Sequence, residues 1–408
     1  MIKLNKRNLA IYFILLTLLG QMGAINLVKV EIVPVSENEV DNLVNINSNL
    51  NPADTEYIIP SVPHHYQDKS YWCGIAALEM VYDFYGPDID QLEIADVARA
   101  DPSYGAFTED LRRSTHFSKL STSVGYEMVG SITGYTNRSI GYGAFEQGYL
   151  SVNSIVNLIA DGYPIVVLQW YDTSHNSGHF RVVIGYVKSG GDVTQLIVHD
   201  PWYSGIYQGP NLYLNYNTFV NLWAYSSNWA LFICPWDVTV KCSSLVRINS
   251  TFTVTANVKY VRPTSFNPAY TASLSNATIQ LPAGFSLAPG EMYTKDLNPL
   301  SLSAGDVGTV SWQVKADVLN SEGFITVNAS GLVSGFVSAR SGTYTYSSYG
   351  YTDLIGGNGS KLVTIVETLP KDENIMPIII ISSAIVGAII IGIVVLVIIH
   401  KARRKVPE

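Results

Sequence analysis

The segment QDKSYWCGIAALEMVYDF, residues 67–84, places a cysteine at the start of an amphipathic pattern. From Cys73 onward, apolar residues recur at helical spacing, so a helix is predicted to begin at the cysteine. Backbone N–H groups and the dipole at a helix start favour a thiolate, and with an imidazolium nearby a cysteine pKa can fall from ~8.5 to ~3.5–7.5. Cys73 is therefore predicted to be a nucleophile. Gln67 lies shortly before it, and its side-chain amide is predicted to donate to the oxyanion that forms when a thiolate attacks a carbonyl.

Two β-rich runs further along the chain are predicted to form a hairpin. Residues 180–187 follow Gly178-His179, residues 194–199 precede Asp200, and a Gly-Gly pair lies in the turn between them. Folding the hairpin about these glycines brings the start of the first strand close to the end of the second, so His179 and Asp200 are predicted neighbours. The imidazole would act as the base, and the carboxylate would fix its tautomer and stabilise its protonated form. His199 alternates to the opposite face and is interpreted as structural.

Together these motifs resemble the C39-like branch of the papain-like cysteine peptidases. The resemblance covers about residues 62–233 and is carried by Gln67, Cys73-Gly74, Gly178-His179 and Asp200-Pro201. It implies an α+β papain-like fold, hydrolysis of peptide bonds, and a peptide or protein substrate, with no cofactor. Relatives of the papain fold also transfer acyl groups to amines or have lost activity. An acyltransferase or amidase with the same triad, and a non-catalytic surface receptor or adhesin that binds peptides, are therefore the alternatives.

Aromatic residues flank the motifs and are predicted to line the substrate cleft: Tyr71, Trp72, Trp202 and Tyr203. A metal site would be conceivable from Asp172, His175 and His179. Their spacing matches no recognised ligand motif, so no metal site is predicted.

Both ends of the chain carry membrane signals. Basic residues precede a short apolar stretch at positions 9–19, which predicts a signal peptide over residues 1–24, with an uncleaved anchor as the alternative. Residues 375–399 include no charged residue, and as a helix they would be ~37 Å long against a hydrocarbon core of ~30 Å. A transmembrane helix is predicted there. Basic residues follow it at once, so residues 400–408 are predicted to be a cytoplasmic tail, with the catalytic domain outside.

The remaining pattern divides the chain between these ends. Residues 25–57 are polar and Asn-rich and predict a flexible lead, residues 58–235 the peptidase domain, and residues 368–374 a linker. Alternating apolar residues over 236–367 predict an all-β, immunoglobulin-like sandwich, acting as a stalk or as a binding module.

The net charge of -8 argues against nucleic acid as a partner. A Cys234–Cys242 disulfide is an open alternative, although a strand between them would span ~26 Å against the ~4.4–6.8 Å that a bridge tolerates.

Overall fold

The computed structural model describes residues 54–121, 140–205, 207–267, 270–341 and 345–369, all within one compact unit that begins at Asp54. The predicted signal peptide, transmembrane helix and cytoplasmic tail lie outside the described residues. Among the residues that are described, no helix is both long and apolar enough to cross a membrane.

The first part of the unit, residues 54–234, combines helices with a seven-stranded sheet and is called the first region below. The helices are α1 (Cys73–Tyr85), α2 (Gln91–Val97), α3 (Thr108–Thr115), α4 (Val152–Ala160) and α5 (Tyr216–Trp223). The strands are β1 (Asp54–Ile58), β2 (Gly143–Gln147), β3 (Ile165–Trp170), β4 (Gly178–Ser189), β5 (Asp192–Asp200), β6 (Gly209–Asn215) and β7 (Ala230–Cys234). The sheet order is β2-β7-β3-β4-β5-β6, and β1 pairs with β4.

The first strand begins inside the segment that the sequence assigns to the flexible lead. Asp54 pairs with Ser189 and Ile58 with Gly185 in an antiparallel ladder. The Tyr57 ring stacks on that of Tyr186, with 5.7 Å between the centroids. Residues 54–57 are therefore ordered, because β4 offers a backbone edge and an aromatic neighbour that a local composition does not reveal.

Helix α1 begins at Cys73, as the sequence pattern predicts, and it is held close to α3 and β4. A Cβ atom at Gly74 would lie 2.7 Å from the Leu111 side chain and 3.0 Å from the Phe180 ring. No larger residue fits without displacing one of these neighbours. The glycine after the cysteine thus lets the helix start approach the strand that carries His179.

The predicted hairpin is formed by β4 and β5, and its register decides which side chains meet. Gly190 and Gly191 form the turn with φ of 59° and 100°, a region that favours glycine. Two bulges interrupt the ladder, yet Val182 still pairs with His199 near its far end. Arg181 is therefore placed opposite Asp200, and His179 lies two residues away on the same strand face.

The second part, residues 237–366, contains two sheets and is called the β region. The strands are β8 (Asp237–Lys241), β9 (Leu245–Arg247), β10 (Thr251–Lys259), β11 (Thr271–Gln280), β12 (Phe285–Leu287), β13 (Thr294–Asp296), β14 (Leu302–Ser303), β15 (Val307–Ala316), β16 (Glu322–Val337) and β17 (Tyr349–Val366). One sheet has the order β12-β15-β10-β8, and the other β13-β11-β16-β17-β9, with β14 paired to β11. Buried and exposed residues alternate along β15, as the sequence pattern predicts. The immunoglobulin-like assignment stays a prediction.

The two parts pack directly on each other. The backbone of Gly141 donates to the Leu354 carbonyl at 2.7 Å and accepts from Gly356 at 3.1 Å, and the Tyr260 ring lies 5.7 Å from that of Phe145. Their buried apolar side chains form one continuous cluster. All three cysteines are free, so the disulfide considered between Cys234 and Cys242 is not formed.

Candidate active site

Cys73, His179 and Asp200 form a chain of hydrogen bonds. The His179 Nε2 atom lies 2.7 Å from Oδ1 of Asp200. The imidazole also shares a hydrogen bond with the Cys73 thiol, which leaves Nδ1 as the atom that faces the sulfur. Asp200 is fully buried and His179 is 4% exposed. The three side chains predicted to meet are thus adjacent in the structure, and their order is the one that a nucleophile, a base and an orienting acid require.

The surroundings favour a thiolate beside an imidazolium. Burial opposes ionisation of Cys73, but the hydrogen bond and charge of His179 and the backbone N–H groups of Phe180 and Gly74 outweigh it, so the pKa of Cys73 is lowered. Burial also opposes the charged form of His179, yet the carboxylate of Asp200 outweighs it and raises the pKa of His179. Both shifts favour the charged pair, a thiolate beside an imidazolium, over the neutral pair.

Arg181 is a component of this site that the sequence motifs do not reveal. Its Nε donates to Oδ2 of Asp200 at 2.6 Å, while His179 takes the other carboxylate oxygen. The guanidinium is fully buried and also donates to Oε1 of Gln169 and to the Trp170 carbonyl, both at 3.1 Å, and to the Tyr171 carbonyl at 2.7 Å. The sequence does contain one indication of this role, because Arg181 is a charged residue inside an otherwise apolar strand. A charge buried in this way needs a partner of opposite charge.

Asp200 is held ionised by these neighbours. Its burial raises the pKa, but the charges of His179 and Arg181 and the backbone N–H of Trp202 outweigh that effect, so the pKa of Asp200 is lowered. The Trp202 N–H donates to Oδ1 at 2.8 Å. The carboxylate therefore has a fixed orientation, and it can fix the imidazole tautomer.

Two cavities meet at Cys73. The first, of about 420 Å³, is lined by residues that include Tyr71, Tyr171, His179 and Trp202. The second, of about 510 Å³, is lined by residues that include Phe107, Leu168, Phe180 and Tyr225. No Asp, Glu, Lys or Arg is among the described residues that line either one. Both cavities suit uncharged side chains.

The four aromatic residues predicted to line the cleft divide into two pairs. Tyr71 and Trp202 line the first cavity. Trp72 is only 2% exposed, so its ring belongs to the core. The Lys69 ammonium lies 4.4 Å from the centroid of that ring. Tyr203 is 61% exposed and stacks on Trp202, with 4.9 Å between ring centroids. Neither Trp72 nor Tyr203 lines a cavity at Cys73.

Gln67 is buried close to the start of α1. Its Nε2 donates to the Lys69 carbonyl at 2.7 Å, and its backbone N–H donates to the Pro201 carbonyl at 2.9 Å. No described residue donates to its buried Oε1. Gln67 is not among the residues that line either cavity at Cys73, and its predicted donor role stays a prediction.

Residues 59–231 match the family model described as Peptidase_C39 like family, and this match supports a peptidase domain of C39-like type in this part of the chain. The resemblance of the motifs is confirmed over these residues. No curated protein matches the chain.

Two solved structures are similar in part. One is the peptidase domain of Streptococcus ComA, a bi-functional ABC transporter involved in a quorum sensing pathway, at 17% identity and a TM-score of 0.30, covering 43% of this chain and 98% of that one. The other is a cohesin module of a Clostridium perfringens family 33 glycoside hydrolase, at 14% identity and a TM-score of 0.21, covering 33% of this chain and 98% of that one.

Proposed function

We propose that this protein is a membrane-anchored cysteine peptidase that hydrolyses peptide bonds outside the cytoplasm by a Cys-His-Asp mechanism. One observation carries the catalytic part: Cys73 and His179 are hydrogen-bonded where two cavities meet, and their pKa values are shifted so as to favour a thiolate and an imidazolium. That combination is what nucleophilic attack on a carbonyl at near-neutral pH requires.

The first half of the reaction forms a thioester. The Cys73 thiolate attacks the carbonyl carbon of the scissile peptide bond, a C–S bond forms, and the carbonyl electron pair moves to oxygen. His179 then gives its proton to the amide nitrogen, the C–N bond breaks, and the amine leaves. Asp200 remains ionised and stabilises the imidazolium until that proton is transferred.

The second half regenerates the enzyme. Neutral His179 takes a proton from water, and the resulting hydroxide attacks the thioester carbonyl. The C–S bond breaks, the acid product leaves, and the imidazolium is restored beside the thiolate. Gln67 and the Cys73 backbone N–H are the groups proposed to bind the oxyanion in both halves.

Anchoring is proposed from the sequence. The uncharged stretch at residues 375–399 and the basic residues after it predict one span with the tail inside. A protease added to intact cells should then remove residues 54–367 and leave a tag placed after Glu408 intact. Survival of residues 54–234 in that experiment would exclude an outside location.

The catalytic proposal is tested on the purified full chain with iodoacetamide at pH 5.5, where only a thiolate of low pKa reacts quickly. Burial raises the pKa of Cys234 to about 12 and also raises that of Cys242. Label is expected on Cys73 alone. Cys73→Ala should abolish it, and the matched control Cys242→Ala should leave it unchanged.

Hydrolysis itself is tested with a mixed peptide library and mass spectrometry, with Cys73→Ala as the blank. Shortened peptides with free carboxyl ends are expected from the unmodified chain only. Products joined to an added amine would favour an acyltransferase instead. A reactive Cys73 without any product, or equal labelling of all three cysteines, would contradict the peptidase assignment.

A further inference from the structure

One segment lines both cavities at Cys73. Pro102, Ser103, Tyr104 and Gly105 contribute to the first cavity, and residues 104–108 contribute to the second. We call residues 101–108 the cleft wall. Its beginning is a closed turn, since Asp101 and Gly105 exchange backbone hydrogen bonds of 3.1 and 2.8 Å. Substrate bound in either cavity would contact this wall.

The β region contacts the far end of the cleft wall. The Arg340 guanidinium lies over the Phe107 ring, 3.7 Å from its centroid, and it also pairs with Oδ2 of Asp110 in the first turn of α3. Only 8% of the Arg340 side chain is exposed. Phe107 is 42% exposed and lines the second cavity. The arginine therefore covers one side of a ring whose neighbourhood is otherwise open.

A second arginine, which belongs to the first region, binds the same carboxylate. Arg99 is 1% exposed, and its Nε donates to Oδ1 of Asp110 at 2.8 Å. Its two terminal nitrogens donate to the Ser338 and Ser347 carbonyls, at 3.0 and 3.2 Å. Ser338 follows β16 and Ser347 precedes β17, so Arg99 binds both arms of this long hairpin and links them to Asp110 of α3.

A further buried contact joins the β16–β17 hairpin to the peptide segment around α3. Asp353 of β17 is fully buried, lies 3.6 Å from the Arg113 guanidinium of α3, and accepts from the Ser121 hydroxyl at 2.6 Å. Buried charges of this kind tolerate one arrangement, because moving a partner leaves the other charge uncompensated. The β16–β17 hairpin and α3 therefore hold a fixed relative position.

We propose that the β region is a working part of the substrate cleft: through Arg340 on Phe107 it holds the cleft wall and so determines how tightly the second cavity binds an apolar substrate side chain. This rests on the proposed peptidase function. Arg340 is a positioning residue, since it acts through Phe107 and lines neither cavity itself. The cavity it shapes is walled by Phe107, Leu168, Phe180 and Tyr225, which suit an aromatic or large aliphatic side chain.

The first test compares labelling rates of Cys73 in the full chain with three probes: iodoacetamide, benzyloxycarbonyl-Phe-Ala-chloromethyl ketone, and the same ketone with Ala in place of Phe. Arg340→Ala should slow the Phe probe by about tenfold, the size of effect that one desolvated cation–π contact can have. The other two probes should change by less than about twofold, because they do not fill the second cavity. Arg340→Lys keeps the cation and should recover part of the rate.

The matched control is Arg247→Ala, which removes an exposed arginine of β9 in the same region. It should leave all three labelling rates unchanged. Equal slowing of all three probes by Arg340→Ala would mean general damage to the fold and would overturn the proposal. An unchanged rate with the Phe probe would overturn it as well.

Hydrogen exchange tests the same contact without any need for catalysis. Arg340→Ala should speed exchange of the backbone amides at residues 106–111 and leave those of α1 unchanged. If Cys73 of the unmodified chain fails to react with any probe, the peptidase proposal fails. The hydrogen-exchange result then still tests whether Arg340 holds the cleft wall. Unchanged exchange at residues 106–111 would show that the β region does not hold the wall.

Discussion

Arg181→Met is the substitution that tests the active-site electrostatics most directly. Methionine keeps most of the side-chain volume but removes every donor that Arg181 supplies to Asp200, Gln169, Trp170 and Tyr171. The Asp200 carboxylate is left buried with its Oδ2 unpaired. Breaking a buried ion pair in this way costs ~3–5 kcal/mol of unfolding free energy, which lowers a melting temperature by on the order of 10 °C in a protein of this size.

The same substitution should change the pH profile in a stated direction. The positive charge of Arg181 lowers the pKa of His179, so its removal should raise that pKa further. A raised pKa keeps the imidazolium present to higher pH, and the high-pH limb of the labelling or turnover profile should move upward. The low-pH limb follows the pKa of Cys73, for which Arg181 is not among the causes of the shift, and should stay in place.

Thermal melting and iodoacetamide labelling from pH 4 to 10 measure both effects on the full chain. Lys188→Met is the matched control, because it removes a cation from the same strand at a half-buried position beyond the active site. It should change stability by less than about 0.5 kcal/mol. A melting temperature within about 2 °C of the unmodified chain and an unmoved high-pH limb would refute the role assigned to Arg181.

Three further substitutions have distinct expected outcomes. Asp200→Asn should lower turnover ~10²–10⁴-fold and slow Cys73 labelling, because the imidazolium loses its counter-charge. Unchanged kinetics would contradict the role of Asp200 in stabilising the imidazolium. Gln67→Ala should lower kcat ~10²–10³-fold with labelling and melting nearly unchanged, whereas a large loss of stability would make Gln67 a packing residue. Gly74→Ala should destabilise by ~1–3 kcal/mol in denaturant melts, since its Cβ would meet the Leu111 side chain at 2.7 Å, and equal stability would contradict that crowding.

The β4–β5 hairpin shows which contacts local sequence signals can predict and which they cannot. The Gly-Gly turn and the two flanking β-rich runs were enough to predict that His179 and Asp200 are neighbours. They could not show that Arg181 lies directly opposite Asp200, because two bulges shift the register and then restore it. A bulge depends on packing against neighbouring strands and has no reliable local signature.

Helix α3 gives a second example. The helix begins at Thr108 with Phe107 as the N-cap, and no side-chain cap hydrogen bond is present there. The helix start is stabilised from elsewhere, since Asp110 in its first turn pairs with Arg99 and Arg340. Tertiary ion pairs here replace the local capping bond that a sequence pattern assumes.

By itself the sequence predicted that Cys73 begins a helix and that His179 and Asp200 are neighbours, because helix periodicity, strand alternation and a Gly-Gly turn act over a few residues. Only the tertiary structure decided which aromatic residues line the cavities, that Arg181 completes the Asp200 site, and that the β region contacts the cleft wall. The Arg99–Ser347 contact joins residues 248 positions apart, and no local pattern encodes such a pairing. Contacts of this kind depend on how whole elements pack, and packing is a property of the folded chain.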